Sequence, residues 1–369
     1  MLKLIVKLAM FIPLLAAMMY ISYRVDPSGL FWGAGFERRA SEYMLEGEYI
    51  GGYERLDGRA LNEAYAKNVE KRPQILINGS SRAMLIDSSF ADGKTLYNAG
   101  NVGADIYDFF TSYYIFSKEG KEPEIFVMGI DPWIFNDGSE NIDKRSDKEL
   151  YFQFIGEELG FENQQYEKEN PYEKYLALID PSYFQGSVAY YFKDKSAEVS
   201  PQPVSKDEIY NQTEVVKCPD GSIIYDVYFR TRDQQVADWD ALTTANMPLL
   251  RLENFEQLSS EYTRQFEKFI EYLQNKGITI IFYLPPYHPY IIEAALANYD
   301  TYHGLFDVEV YLKGVAEKYD IPIYGSYNPY ALNLTNTDFM DGLHLRQESI
   351  REILPEIGKK CNISQEDNI

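Results

Sequence analysis

The run Glu124–Ile130 reads Glu-Ile-Phe-Val-Met-Gly-Ile, and after its first residue nothing in it is polar. A strand of this kind has no face to offer water, so it belongs in a parallel sheet covered on both sides. Gln74–Asn78, Thr95–Asn98, Ile278–Leu284 and Ile321–Tyr324 read as further short strands. Helical patterns alternate with them: Ile106–Phe116, Val308–Lys318, Glu348–Lys359, and a stripe of Leu258, Tyr262, Phe266, Phe269, Ile270 and Leu273 stopped at Gly277. This alternation predicts an α/β protein whose mainly parallel central sheet is wrapped by helices. Chemistry in such sheets gathers at the carboxyl ends of the strands. Here those ends read Gly79-Ser80-Ser81, Asn98-Ala99-Gly100 and Gly129-Ile130-Asp131.

The core so defined covers 71–135 and 255–360. Between its halves, 136–254 is polar and Tyr-rich, broken by Pro171, Pro181, Pro201 and Pro203, and reads as an insertion or lid subdomain. Residues 26–70 mix Gly, aromatic and charged side chains and read as a stalk or cap. Residues 1–25 read as a short cytoplasmic tip and a transmembrane anchor. Leu4–Tyr23 is interrupted only by Lys7 and can form about 30 Å of helix. Lys3 and Lys7 precede its longest uncharged part, which places the N-terminus inside and the bulk of the chain outside a cytoplasmic membrane. The alternatives are a buried soluble helix or a cleaved signal peptide. The latter calls for a small-x-small exit, whereas this run passes through Met18, Met19, Tyr20 and Ile21.

The chain has 369 residues with 35 Lys+Arg against 57 Asp+Glu, a formal charge of −22. Such acidity leaves no footprint for a phosphate backbone, so nucleic-acid binding is not expected. Cys218 and Cys361 lack CxxC spacing; one bridge and two thiols both remain open. With only His288, His303 and His344 besides, no metal site is expected, and neither a dinucleotide fingerprint nor a phosphate loop points to a cofactor. The N-x-[ST] sequences at Asn78, Asn211, Asn333 and Asn362 carry no weight alone, and Asn78 falls in a buried strand.

Ser81 follows a strand and a glycine, at the mouth of an expected helix whose N–H groups suit a developing oxyanion. The plain alternative is that Ser80 or Ser81 caps that helix. A serine becomes a nucleophile only beside a base that is itself held. Asp341-Gly342-Leu343-His344 offers such a pair, because an Asp three residues before a His can turn back onto its ring. His288, between prolines at another strand end, is the rival base but has no acid nearby in sequence and ranks as a substrate contact. The stretch Asn98 to Gly103 lets backbone approach a ligand, with Gly103 able to aim an N–H at an oxyanion and Asn101 a substrate contact; a plain βα turn is the alternative. Arg82 and Arg346 follow the two catalytic segments and read as substrate contacts or as surface ion pairs.

Together these segments resemble the SGNH (GDSL-type) hydrolase superfamily. Gly79-Ser80-Ser81 is similar to its first block, Asn98, Gly100 and Gly103 to its second, and Asp341 with His344 to its fifth, in the family's order. The resemblance implies a Ser81–His344–Asp341 triad, with Ser81 and Gly103 amides forming the oxyanion hole. The third block normally supplies an Asn donor. Here Gly129-Ile130-Asp131-Pro132 stands in its place, and an ionised Asp131 cannot donate. It either turns away or leaves the hole to backbone donors, and it is also carried as a substrate contact. Gly-Ser-Ser with an anchor looks like the branch that includes polysaccharide O-acetylation and teichoic-acid D-alanylation proteins. That implies an outward-facing O-acyltransferase that modifies a cell-surface polysaccharide through an acyl-enzyme, and a multi-spanning membrane O-acyltransferase as donor partner. An esterase of the same fold and a catalytically silent glycan-binding scaffold are the alternatives.

Overall fold

The computed structural model describes residues 11–26, 31, 35–52, 56–136, 145–161, 172–193, 201–249, 251–354 and 357. The expected cytoplasmic tip, the end of the expected last helix, Cys361 and Asn362 lie outside them. The elements that matter are, in chain order, α1 (Ile12–Val25), α2 (Gly35–Leu45), β1 (Tyr49–Gly51), α3 (Gly58–Asn68), β2 (Ile75–Gly79), β3 (Leu96–Asn98), α4 (Ile106–Lys118), β4 (Ile125–Gly129), α5 (Lys148–Glu157) and α6 (Pro181–Lys193). After these come β5 (Gln202–Val204), β6 (Val216–Lys217), β7 (Ile223–Ile224), α7 (Val227–Thr231), α8 (Gln234–Ala245), α9 (Ser260–Asn275), β8 (Thr279–Leu284), α10 (Pro289–Ala297), α11 (Tyr299–Tyr319), β9 (Ile323–Gly325) and α12 (Gln347–Ile353).

The central sheet is parallel throughout, with order β3-β2-β4-β8-β9. Its strands are apolar on both sides because both sides are covered. Leu76, Phe126, Met128, Ile280 and Phe282 enter one core with the aromatic helices α4, α5 and α9. Ile75, Ile77, Ile125, Val127, Ile281 and Tyr283 enter a second core, under the turns after β2 and under α12. The order reverses direction between β2 and β4, and that switch point is where an open parallel sheet leaves a crevice beyond its strand ends. Ser81 and Asp131 follow these two strands.

Backbone closeness at this point depends on two glycines in register, Gly79 opposite Gly129. A Cβ on Gly79, whose φ is +142°, would meet Gly129 O at 2.7 Å; one on Gly129 would meet the Ala83 Cβ at 2.7 Å. The turn after Ser81 therefore lies flat against both strand ends.

The segments 26–70 and 136–254 are not separate attachments. Tyr49–Gly51 pairs antiparallel with β5 and β6 of the insertion, giving a second sheet of order β5-β1-β6-β7. The turn between β6 and β7 also seals the edge of the main sheet, where Asn98 N–H donates to Asp220 O at 2.7 Å. The insertion holds α5, α6, α7 and α8 despite its weak periodicity. The expected helix Val308–Lys318 is the second half of α11, and the expected final helix ends at Ile353. Of the expected anchor, α1 accounts for Ile12 onward; among the described residues no helix is long and apolar enough to cross a membrane.

The glycine register predicts the effect of one methyl group. Gly129→Ala is expected to cost about 1–3 kcal/mol in urea unfolding, by overpacking against Ala83, and adding Ala83→Gly to recover much of it. Unchanged midpoints in the single variant would remove the close approach.

Candidate active site

The loop carrying Asp341 and His344 is closed on itself. Met340 N–H donates to His344 O at 2.8 Å, and Phe339 bridges Leu345 just outside it. Asp341 Oδ1 accepts the Leu343 and His344 N–H groups, both at 2.7 Å, so backbone bonds fix the carboxylate before its charge meets the ring. Asp341 Oδ2 then lies 2.8 Å from His344 Nδ1. A carboxylate only accepts, so Nδ1 carries the proton and Nε2 is left as a base. Ser81 Oγ stands 2.9 Å from Nε2, across 263 residues of chain. Burial pushes the Asp341 carboxyl up, but His344 and the two N–H groups outweigh it and hold the group at about 2. Gly342 lets the loop pack tightly on α8 and α10: a Cβ there would meet Thr244, Ala241 and Ile291 at 3.3–3.4 Å.

The turn that carries Ser81 is not a helix. Ala83 N–H donates to Ser80 O and Met84 N–H to Ser81 O, and the chain continues as successive turns to Leu85. The expected helix mouth is thereby corrected, since residues 81–85 never settle into a repeating α pattern. Ser80 is the local cap, its Oγ accepting the Arg82 N–H at 3.3 Å. Gly103 adopts φ +64°, and its carbonyl accepts from Arg251 Nη1 at 2.8 Å. Asn98, the polar residue of the second segment, works internally. Its Nδ2 donates to Ala83 O and Ile86 O, and its Oδ1 accepts the Gly100 N–H.

Four of the expected substrate contacts point inward instead. Arg82 and Asp131 form an ion pair at 2.7 Å with both side chains 1% exposed. The remaining guanidinium nitrogens donate to Pro285 O at 2.5 Å, Pro286 O at 2.6 Å and Leu343 O at 3.1 Å, and the Tyr287 ring lies 3.9 Å beneath. No face of Arg82 is left for a ligand. Burial pushes the Asp131 carboxyl above its ordinary value, while Arg82 and Ser80 draw it back toward the charged form. Asp131 has therefore turned away from the reacting centre. His288 is fully buried; its Nδ1 caps α10 through Tyr290 N–H, and its backbone N–H donates to Gly342 O. Burial lowers its pKa, with Asp238 and Asp341 opposing. Asn101 is buried, with its N–H on Gly79 O and its Nδ2 on Ala99 O. Arg346 is half-buried and donates to Thr337 O and Arg230 O, yet it also lines a cavity.

That cavity, about 510 Å³, is bounded by Tyr49, Asp87, Tyr210, Asp220, Tyr225 and Arg346 among others. Its wall adjoins the triad, because the Tyr225 ring packs edgewise on the His344 ring at 5.6 Å, with Phe229 at 6.2 Å. The sequence offered no signal for these two aromatics, nor for Arg251. All three come from the insertion, whose texture was that of many tyrosines and little periodicity.

No family model matches the chain, and no curated protein matches it significantly.

The geometry makes two predictions. Arg82→Met strands the Asp131 charge in the interior, and the expected cost is about 3–5 kcal/mol; Arg82→Met with Asp131→Leu is expected to restore most of it. Urea midpoints of the two variants decide this. Asp341 titrates below its unfolded value of 3.8, so its contribution is present above about pH 4 and lost as pH falls toward 2. On the order of 2 kcal/mol of stability is expected to vanish across that window and to be missing at neutral pH in Asp341→Asn.

Proposed function

We propose that the chain is a membrane-anchored, outward-facing O-acyltransferase of SGNH-like α/β/α construction, working through an acyl-enzyme on a cell-surface polysaccharide. The observation that carries the chemistry is the 2.9 Å approach of Ser81 Oγ to His344 Nε2, with Nδ1 held by Asp341. The acceptor class, the membrane side and the donor, a multi-spanning O-acyltransferase, come from the resemblance and from the apolar N-terminus.

His344 Nε2 takes the proton of Ser81 as Oγ attacks the acyl carbonyl carbon. Asp341 holds the ring and stabilises the imidazolium. Negative charge on the former carbonyl oxygen falls to the Ser81 and Gly103 N–H groups. Collapse breaks the bond to the leaving group, which takes the proton from His344, and leaves acyl-Ser81. An acceptor hydroxyl then gives its proton to His344 and attacks the same carbon, releasing Ser81. Water in that second step makes the enzyme an esterase. The cavity beside His344, with Tyr and carboxylate groups in its wall, suits a sugar in either role, and the preference for transfer rests on the resemblance and the apolar N-terminus.

Asp131 in place of an Asn donor is what speaks for a silent scaffold; its pairing with Arg82 neutralises its charge but supplies no donor. A hole without a side-chain donor is expected to be weaker, by about 2.7–4 kcal/mol of transition-state stabilisation.

The test is labelling of the full chain by a serine-directed fluorophosphonate, together with release or transfer of an acyl ester. Ser81→Ala is expected to abolish labelling, and His344→Ala to reduce turnover by about 10³-fold or more. Labelling that persists in Ser81→Ala would overturn the reading.

A further inference from the structure

Among the described residues, the first half of the apolar helix α1 is left exposed. Phe11, Ile12, Leu14 and Leu15 are all exposed, Leu14 by 67%, and burial sets in only at Ser22 and Asp26. What covers the far end is the stretch 172–193 of the insertion, some 150 residues downstream. The Asp26 carboxylate accepts the Tyr183 O–H at 2.6 Å and the Phe31 N–H at 2.8 Å. The Phe31 ring lies 5.8 Å from Tyr175, 6.4 Å from Tyr183 and 5.4 Å from Tyr23. This stretch is thus clasped to the point where α1 enters the fold.

Among Lys174, Asp180, Ser182 and Gln185, its exposed side chains include five large aromatic or aliphatic ones. Tyr172 is 74% exposed and Leu176 60%, and Tyr175, Ile179 and Tyr191 are exposed as well, as is Tyr20 of α1. In a chain of charge −22, the stretch 172–193 carries only Glu173 and Asp180 against Lys174 and Lys193, which cancel. Tyrosines mixed with Leu and Ile, uncharged overall and set where an apolar helix emerges, have the composition of a membrane–water boundary.

We propose that 172–193 is a lipid-facing collar, with Leu176 and Ile179 seated in the headgroup–acyl boundary of the membrane that α1 enters. The inference rests on reading α1 as the anchor. The occupant is lipid because the stretch packs against α1, whose exposed apolar first half is the part read as entering the membrane. The neutral charge suits a zwitterionic surface, which an acidic chain approaches without repulsion. The collar fixes the height and tilt of the catalytic domain, so the triad does not hang on a loose stalk.

The test uses the full chain in phosphatidylcholine vesicles, carrying Cys361→Ser, with single spin labels placed by Leu176→Cys, Ile179→Cys, Leu14→Cys and Val310→Cys. The label at Val310, a 72%-exposed residue of α11, is the aqueous reference, and the parent without an added cysteine gives the background of buried Cys218. The readout is the ratio of collisions with oxygen to collisions with a water-soluble nickel chelate. Ratios at 176 and 179 within about twofold of that at 14, and about tenfold above that at 310, are expected. A lipid ratio at 14 with aqueous ratios at 176 and 179 overturns the collar and leaves the anchor. Aqueous ratios at all three overturn both. Shielding of 176 and 179 from both probes overturns the lipid assignment in favour of a protein contact.

Discussion

A guanidinium with no access to water must be matched group for group, and Arg82 is matched by three other pieces of chain around the candidate site. It pairs with Asp131 beyond β4, donates to Pro285 O and Pro286 O beyond β8, and donates to Leu343 O inside the Asp341–His344 loop. The residue itself follows Ser81 directly. Ser81 and His344 are therefore joined twice, once through their own hydrogen bond and once through a rigid fork beneath it. A lysine could supply charge but not this planar set of donors. Each bond is made in a low-dielectric interior, where leaving any one of these carbonyls unpaired is costly.

The same pairing settles the electrostatics above it. An unpaired carboxylate at the end of β4 would oppose negative charge on a reacting carbonyl oxygen. Bound to Arg82 and Ser80, Asp131 forms a neutral pair and leaves Asp341 as the acid that faces His344. Burial of this pair is a stability cost that a hydrophobic substitution could avoid. Its retention fits a site whose geometry has to be held by directional bonds.

What was legible in the sequence follows from what is local. β2, β4 and β8 were readable to within a residue or so because continuous apolar runs admit little else. Asp341 and His344 were readable because their partnership spans three residues. Arg82 was misread as outward-facing because its partners lie 49 to 261 residues away and three of them are backbone carbonyls, which no side-chain pattern announces. The turn after Ser81 was read as a helix start because Gly-Ser-Ser suits both, and only its packing against Gly79 and Gly129 decides. β6 and β7, two residues each, are too short to show any alternation. The first half of α11 escaped because His303, Gly304 and the aromatics around them give no clean stripe.

Those invisible short strands decide how the insertion behaves. A lid attached only at its two ends can swing by changing a few backbone angles. Here β1 is paired on both sides by insertion strands, the Asp220 carbonyl of the β6–β7 turn accepts the Asn98 N–H at the edge of β3, and Ile223 N–H donates to Met84 O in the turn that carries Ser81. From the other side α8 presses Ala241 against Gly342, and Tyr225 and Phe229 lean on the His344 ring. Moving the insertion as a body would break backbone bonds at these three places and uncover the His344 ring. It is better regarded as a fixed wall beside the Ser81–His344 pair, held by the same backbone bonds that hold the turn after Ser81.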